Sequence, residues 1–534
     1  MPGLFHAPPR SRAPGLHRAA GEFFRRRWEI FPQEAAEHGL REYRGILGSN
    51  EPATHRRLAA LLEETLSTVE AMPAFEGDDR TDRRAFLAYL RTGLFFHRTH
   101  PRWQLDPQSH SSPPVNAIFH LVVRHADDLR SVAPQILSLL AAVPRFLDEG
   151  HACLRRPVPL WTRLAARSSA HAAKFMEETA ARIAPLCPSP ARARKAFEQA
   201  AEAFRNYARR IEKIRTGPAG GFAVGKENFE FLLRERTGID AGSGELLGEG
   251  RRLVESATRE LKREAASFGR RSARDLLAQL RNEWQPAEAT LLGEYRRVTT
   301  DIKKRLSGSK IVGLPRGEQL KVVPVPDFLR EQFPTAAYSA PGPFDHDQTG
   351  IFWVNDLSQQ APTAAARRAE IAQHFGLELT CAHEAYPGHH LQFIVQNRHP
   401  SHLRRMFSHA IFYEGWTLWC EKLCVDKKIY RAPHARLIQL HDELWRAHRI
   451  LVDIGLHTGG MSHAAATRHL MDHVGFTKAR AAADVNWYTA APTVPMSYLL
   501  GRREVERLFA AHHGSLREFN DRLLAHGAVP FAWF

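Results

Sequence analysis

Apolar residues recur at three- and four-residue spacing along most of the 534-residue chain. The spacing is clear in residues 196–214 and 246–268, and it predicts successive amphipathic helices from Ala19 to about Arg305. We interpret residues 19–305 as a helical scaffold. Loops between the helical layers are predicted where proline and glycine accumulate, at residues 107–114, 217–221 and 242–244.

The apolar pattern changes between residues 310 and 357. Two short runs of β-branched and aromatic residues, 321–326 and 350–355, are bounded by Pro, Gly or Asp and predict a small β-sheet. From Ala361 the helical spacing resumes and continues almost to the C-terminus. The chain is therefore predicted to be mainly α and to form one continuous domain, in which residues 306–534 are the catalytic part.

The first eighteen residues do not follow the helical pattern. They are rich in Pro, Arg and His, and they lack both the apolar segment and the small-residue cleavage site of a secretory signal. We expect residues 1–18 to form a disordered basic tail.

Composition and charge limit the class of protein. Hydrophobic residues make up 43% of the chain, which is enough apolar material for a large folded core. The formal net charge is +16, but the arginines are spread along the chain without a nucleic-acid-binding motif, so no nucleic-acid partner is expected. No apolar stretch reaches the roughly 20 residues that cross a bilayer, so no membrane insertion is expected. Five scattered cysteines do not suit a disulfide framework and favour a cytoplasmic location.

The clearest chemical signal is the segment HEAYPGHH, which begins at His383. In the shorter HExxH motif, two histidines four residues apart share one helix face and bind a metal, and the glutamate is the general base. Here the second histidine, His389, comes six residues after the first. Because Pro387 and Gly388 must distort a helix, we predict a bulge that absorbs the two extra residues and brings His389 to the metal. His390 is the alternative ligand.

A catalytic zinc ion needs a third protein ligand, and Glu414 is the best candidate for it. It lies 25 residues after His389, a gap that can hold the end of one helix, a turn and the start of another. Glu421 follows seven residues later on the same helix face, where it could orient a ligating histidine. The predicted site is therefore one Zn²⁺ held by His383, His389 and Glu414, with Glu384 as the catalytic base.

Two further segments are candidates for the same pocket. Arg449, Asp453 and His457 recur every four residues on an otherwise apolar helix, and they form either a salt-bridge ladder or a polar stripe that faces the substrate. Arg449 is the candidate substrate-binding residue, and His457 is a candidate catalytic residue. The hydroxyl groups of Tyr488 and Tyr498 could donate to a developing oxyanion, although both residues could equally be core aromatics.

At these residues the chain resembles the uncharacterised bacterial family called domain of unknown function 885, which is placed near the zinc peptidases called gluzincins. The resemblance covers most of the chain and implies a multi-helix, gluzincin-like peptidase fold around a central cleft, with the small sheet beside the zinc-binding helix. The matching motifs, in the family's order, are HEAYPGHHLQ at 383–392, Glu414-Gly415-Trp416 followed by Glu421, RILVDIGLH at 449–457, and SYLLG at 497–501.

Phe412-Tyr413-Glu414 with a second glutamate seven residues later is also similar to the oligopeptidase branch of gluzincins, in which the first glutamate binds zinc. This resemblance implies Glu414 rather than Glu421 as the ligand. The chain departs from the family at two positions. Trp487 stands where an arginine is usual, and Val494 stands where a glutamine is usual, so the family's substrate preference does not carry over.

These patterns favour a zinc-dependent hydrolase, and among hydrolases a metallopeptidase that cleaves short peptides with metal-activated water. A zinc amidase or esterase that acts on a non-peptide metabolite would use the same residues. A binding protein that has the fold without the activity is the third alternative, and the departures at Trp487 and Val494 are the reason to keep it. The expected partner is a short peptide or a small amide, and the sequence carries no signal for an oligomeric state.

Overall fold

The computed structural model describes residues 2–269, 271–326, 330 and 335–534. The protein is mainly helical with one small sheet, which confirms the predicted class. None of the helices in this described part of the chain has the length and apolar character needed to cross a membrane.

The helices and strands follow one another along the chain with short connections. The helices are α1 (Pro14–Ile30), α2 (Pro32–Glu37), α3 (Pro52–Glu70), α4 (Gly77–Arg98), α5 (Arg102–Leu105), α6 (Gln108–Arg124), α7 (Leu129–Cys153), α8 (Pro159–Ile183), α9 (Pro190–Glu212), α10 (Lys226–Thr237), α11 (Ser243–Ala266), α12 (Ala273–Glu283), α13 (Leu291–Ser307), α14 (Ala364–Gln373), α15 (Leu377–Glu384), α16 (His389–Asn397), α17 (His402–Met406), α18 (Ala410–Asp426), α19 (Ala435–His457), α20 (His463–Val474), α21 (Lys478–Ala490), α22 (Val494–Ala510) and α23 (Leu516–Ala525). The strands are β1 (Pro2–Phe5), β2 (Gln319–Pro324), β3 (Ala336–Ser339) and β4 (Thr349–Val354).

The chain divides into two compact units. The first contains residues 1–222, 342–346 and 401–403, and the second contains the remainder. The break between the two units falls after Phe222. As a result α10 to α13, which were assigned to the scaffold, belong to the unit that carries the predicted metal ligands.

The start of the first unit is ordered, in contrast to the predicted disordered tail. β1 precedes α1, which begins at Pro14. Phe5 is buried and its ring stacks on Phe24 with centroids 5.0 Å apart, while Leu16 is fully buried. These apolar contacts anchor a segment whose Pro- and Arg-rich composition had suggested disorder.

The predicted loop at residues 107–114 is also replaced by structure. α6 begins at Gln108 and contains Pro113 and Pro114. Pro114 and Ile118 lie on the buried face of this helix, so apolar burial there outweighs the hydrogen bonds that prolines cannot make.

The sheet of the second unit has the order β2-β4-β3, with β2 parallel and β3 antiparallel to β4. β2 begins two residues before the first predicted run and β4 begins one residue before the second, whereas β3 was not predicted. All six residues of β4 are buried, and β3 contacts α15. This contact sets one edge of the sheet beside the helix that ends in the HE pair.

A close approach of α18 to α22 completes the framework around the predicted ligands. A Cβ atom on Gly501 of α22 would collide with the carbonyl oxygen of Ile411 and would lie 2.8 Å from the Cα of Gly415, both on α18. Glycine at these two positions therefore lets the helix backbones touch. The contact sets Tyr498 of α22 beside Glu414 of α18.

Candidate metal centre

The HEAYPGHH segment is a helix, a turn and a second helix, and not one bulged helix. α15 ends at Glu384, and α16 begins at His389. Gly388 is required in the turn, because a Cβ atom there would collide with the carbonyl oxygens of Ala382 and His383. The sequence correctly predicted a disruption at Pro387 and Gly388, but it did not predict that the helix would stop and restart.

A tryptophan of α18 holds this turn in place. The Trp416 side chain is fully buried, and its Nε1 donates a hydrogen bond to the carbonyl oxygen of Pro387 at 2.9 Å. The bond gives the Pro387 carbonyl oxygen, which lies in the turn between two helices, the partner that a helical N–H group would otherwise supply. It also fixes the start of α16, and with it His389, relative to α18.

The structure brings the three predicted ligands together. Nε2 of His383 lies 3.3 Å from Oε2 of Glu414, and Nε2 of His389 lies 3.6 Å from the same oxygen. The two imidazole rings meet edge to face with centroids 4.8 Å apart. All three side chains are buried, and one donor atom from each lies within 4.8 Å of the others.

This group of donors fits a zinc ion. Oε2 of Glu414 is buried and has no hydrogen-bond partner among the described residues, although two imidazole nitrogens face it. Ligands that each lie about 2.0–2.2 Å from one zinc ion can be no more than about 4 Å apart, so both distances are compatible with a shared ion. Two imidazoles and one carboxylate are also a ligand set that zinc takes in hydrolases.

Glu421 orients one of the two histidines. Its Oε1 lies 2.8 Å from Nδ1 of His383, a hydrogen bond that directs the Nε2 lone pair toward Glu414 when Nδ1 carries the proton. Nη2 of Arg446 lies 3.6 Å from the same Glu421 oxygen and fixes the carboxylate in turn. Arg446 was not among the predicted site residues, because one more arginine in an arginine-rich chain gives no signal in sequence.

The electric field at the centre favours positive charge. Burial lowers the pKa of His383, but the nearby carboxylates of Glu414 and Glu421 outweigh burial and raise this pKa to about 10. The pKa of Glu414 is lowered despite burial, because His383 and His389 face it. Burial lowers the pKa of His389 to about 3, which leaves this imidazole neutral and able to ligate.

Glu384 lies beside the three donors at the end of α15. Its carboxylate accepts a hydrogen bond from the backbone N–H of Tyr338 in β3. Burial raises the pKa of Glu384 to about 7. The charge of His383 lowers this pKa, and the negative charges of Glu414 and Glu421 raise it. The small sheet therefore positions the residue that the sequence predicts as the base.

Tyr498 and Arg449 extend this group. The Tyr498 side chain faces Glu414, and burial together with the charge of Glu414 raises the pKa of Tyr498. Its ring stacks on His383 with centroids 6.2 Å apart. The guanidinium carbon of Arg449 lies 4.4 Å from the centre of the Tyr498 ring. Nη1 of Arg449 is buried and has no hydrogen-bond partner among the residues that the structure describes.

Tyr488 holds Arg449 and has no free hydroxyl. The hydroxyl accepts hydrogen bonds from Arg449 Nε at 2.8 Å and Trp445 Nε1 at 3.2 Å, and it donates to Asp484 Oδ2 at 3.0 Å. A phenol has one hydrogen to donate and can accept about two hydrogen bonds, so these contacts saturate it. The hydroxyl that was predicted to donate to an oxyanion therefore donates to Asp484 in this structure.

His457 and Asp453 lie further along α19. His457 Nε2 lies 3.0 Å from the carbonyl oxygen of Tyr488, and the Asp453 carboxylate accepts hydrogen bonds from the backbone N–H groups of Thr493 and Met496. Asp453 thus holds the start of α22. His457 is eight residues beyond Arg449, about 12 Å along the helix. It is not part of the group of donors around Glu414.

His390, the alternative ligand, is directed away from the centre. Its Nε2 lies 2.8 Å from Oε2 of Glu318, and its Nδ1 lies 3.1 Å from the hydroxyl of Tyr338. Glu318 also accepts a hydrogen bond from the Tyr386 hydroxyl and pairs with Lys303 Nζ at 2.5 Å. Sequence reasoning missed Glu318 because it belongs to no motif and lies 72 residues from His390.

The solved structures that resemble the chain include two that match it over almost its whole length, and no curated protein matches it. One, from Shewanella oneidensis, has 17% identity and a TM-score of 0.76, and the match covers 97% of this chain and 98% of the other. The second, from Colwellia psychrerythraea, has 17% identity, a TM-score of 0.67 and 97% coverage of each chain. Both are described as a "putative lipoprotein", and at this identity they show a shared fold alone.

The family that the sequence motifs resemble also matches the chain over nearly its full length. The family model described as "Bacterial protein of unknown function (DUF885)" matches residues 32–533, and the chain therefore belongs to this family.

Proposed function

We propose that this protein is a zinc-dependent hydrolase, and specifically a metallopeptidase that cleaves short peptides. The observation that supports the proposal is the convergence of His383, His389 and Glu414 within 4.8 Å, around a buried carboxylate oxygen that lacks a hydrogen-bond partner among the described residues. A second carboxylate, Glu384, lies next to this group in sequence and in space. Metal ligands with an adjacent carboxylate base are the combination that metal-assisted hydrolysis requires.

Each residue of the site has a separate role in the proposed hydrolysis. A bound zinc ion would act as a Lewis acid toward water and toward the substrate carbonyl. Glu384 accepts a proton from the attacking water and delivers it to the leaving amine. The Tyr498 hydroxyl donates to the oxygen that gains negative charge. Arg449 binds an acceptor on the substrate through Nη1, which has no partner among the described residues.

Zinc content and a substrate panel together test the proposal. The purified wild type is compared with His383→Ala, His389→Ala, Glu414→Ala and His390→Gln, each checked for folding by circular dichroism. Loss of one zinc per chain in the first three variants, with wild-type content in His390→Gln, is the expected result. A folded wild type that takes up no zinc when it is supplied would refute the proposal.

The panel then separates peptides from other acyl compounds. Short peptides, acyl amides and esters are incubated with the zinc-loaded wild type, and released amines and acids are quantified. Turnover of peptides supports the peptidase, and turnover of acyl amides or esters alone identifies a zinc amidase or esterase. Stoichiometric zinc without turnover of any compound identifies a binding protein.

A further inference from the structure

A second group of metal-type ligands lies in the first unit, where the proposed chemistry uses no residue. His17 of α1 faces Asp79 and Asp82 of α4. His17 and Asp82 are each 1% exposed, and Asp79 is 8% exposed. One donor atom from each residue lies within 4.8 Å of the others, as in the group around Glu414.

The histidine of this group makes no hydrogen bond with the part of the chain that the structure describes. Both Nδ1 and Nε2 of His17 are buried and without a partner. Nε2 lies 3.9 Å from Oδ1 of Asp79 and 3.8 Å from Oδ2 of Asp82, which is too long for hydrogen bonds. A buried imidazole that makes no hydrogen bond destabilises the fold, so the arrangement calls for a ligand.

A cation between the three side chains accounts for these distances. Two ligands that each lie about 2.1 Å from one ion can be up to about 4.2 Å apart, which allows 3.8 and 3.9 Å. A hydrogen bond between a protonated His17 and the carboxylates would require a shorter distance. Burial also lowers the pKa of His17, although Asp82 and Asp79 raise it, so a neutral ring with a free lone pair is favoured.

The carboxylates are held in place by groups outside the cluster. Asp79 accepts hydrogen bonds from the Ser11 hydroxyl at 2.6 Å and from the backbone N–H of Arg12 at 2.7 Å. Asp82 accepts one from the Ser401 hydroxyl at 2.6 Å. A carboxylate has about four lone-pair positions, so the two hydrogen bonds to Asp79 leave that residue capacity for a metal. Such outer hydrogen bonds are typical of metal-ligating carboxylates.

We propose that His17, Asp79 and Asp82 form a second metal site, which binds a divalent transition-metal ion such as Zn²⁺ or Mn²⁺. One imidazole with two carboxylates suits these ions better than Ca²⁺ or Mg²⁺, which prefer oxygen ligands alone. The three residues are buried, and they join the N-terminal helix α1 to α4. The role of this site is therefore structural, and it does not depend on hydrolase activity.

The test uses full-length protein in which the other site is disabled. His389→Ala protein is freed of metal with a chelator and titrated separately with Zn²⁺ and Mn²⁺, with metal content and melting temperature as readouts. We expect one equivalent of at least one ion and a rise of several degrees in melting temperature. Adding His17→Gln or Asp82→Asn to this background should abolish both effects.

His100→Gln in the same background is the matched control, because His100 is also buried in the first unit but has Arg102 as its charged neighbour. It should keep the bound ion. The proposal is overturned if His389→Ala protein binds neither ion, or if binding survives both His17→Gln and Asp82→Asn. If these variants do not fold, anomalous scattering from Mn²⁺- or Zn²⁺-soaked crystals of the His389→Ala protein decides: a peak at His17 supports the site, and its absence overturns it.

Discussion

Glu384 is the side chain whose removal should separate metal binding from chemistry. It lies beside the three candidate ligands but is not one of the converging donors. We expect Glu384→Gln to reduce kcat on the order of 10²–10⁴-fold, because the amide cannot accept the proton of the attacking water, and to leave the zinc content unchanged. Steady-state kinetics and elemental analysis on the same preparation measure the two effects.

The matched control for this change is Glu378→Gln on the same helix, since Glu378 is directed to Tyr430 and not to the ligands. It should keep its kcat. A Glu384→Gln protein with wild-type turnover would show that another group takes the proton.

Glu421 should affect zinc affinity although it does not bind the ion. Its hydrogen bond to His383 Nδ1, at 2.8 Å, fixes the ring and the tautomer that ligation needs. We expect Glu421→Gln to weaken zinc binding by about 10–100-fold, measured by competition with a chromogenic chelator. Asp426→Asn, at the exposed end of the same helix, is the control and should bind zinc as tightly as the wild type. Equal affinities for wild type and Glu421→Gln would contradict the orienting role.

The turn between α15 and α16 offers a test at the level of secondary structure. Trp416→Phe removes the hydrogen bond to the Pro387 carbonyl and leaves a buried acceptor unsatisfied, at a cost of about 1–3 kcal/mol. Because this bond fixes the start of α16, the variant should lose zinc affinity as well as stability. Chemical denaturation and zinc titration measure the two losses.

Trp419→Phe is the matched control three residues along α18, because it loses a buried hydrogen bond to Asn520 instead. It should become less stable but keep its zinc affinity. If both variants lose zinc affinity equally, the effect is one of general stability and not of the turn.

Local sequence determines some elements of this site and leaves others open. The HE pair was sufficient to single out His383 and Glu384 as candidates, and Pro387-Gly388 was sufficient to predict a disrupted helix, since these signals depend on neighbours in sequence. The new helix at His389 was not predictable, because Trp416 fixes it from another element. β3 was missed for a similar reason. Its four residues are stabilised by pairing with β4 and carry no alternating pattern of their own.

Across the whole chain, the helical class followed from periodicity, but the grouping of helices into units did not. α10 to α13 have the same amphipathic pattern as the helices before them, and only their packing assigns them to the second unit. Composition was misleading at the N-terminus, where Phe5 and Leu16 are buried. Glu318 is the clearest omission, because Lys303, Tyr386 and His390 come to it from distant parts of the sequence.

The ionisation of Glu318, which Lys303, Tyr386 and His390 surround, should make the stability of the whole protein depend on pH in acid. Burial raises the pKa of Glu318, but hydrogen bonds with His390, Lys303 and Tyr386 outweigh it and lower the pKa to about 2 from an ordinary 4.5. A depressed carboxyl pKa stabilises the fold above the unfolded pKa, and this contribution is lost as the pH falls from about 4.5 to about 2. It amounts to about 3 kcal/mol when complete.

Glu318→Gln should therefore have a melting temperature well below that of the wild type at pH 7. This difference in melting temperature should narrow between pH 4.5 and pH 3. Both proteins are measured in the presence of a chelator, so that zinc release in acid does not contribute. Glu64→Gln removes an exposed carboxylate paired with Arg26 and should give a small gap at every pH. A gap for Glu318→Gln that stays constant from pH 7 to pH 3 would mean that the stabilising form of Glu318 is not the ionised carboxylate, and its partners would then act through packing alone.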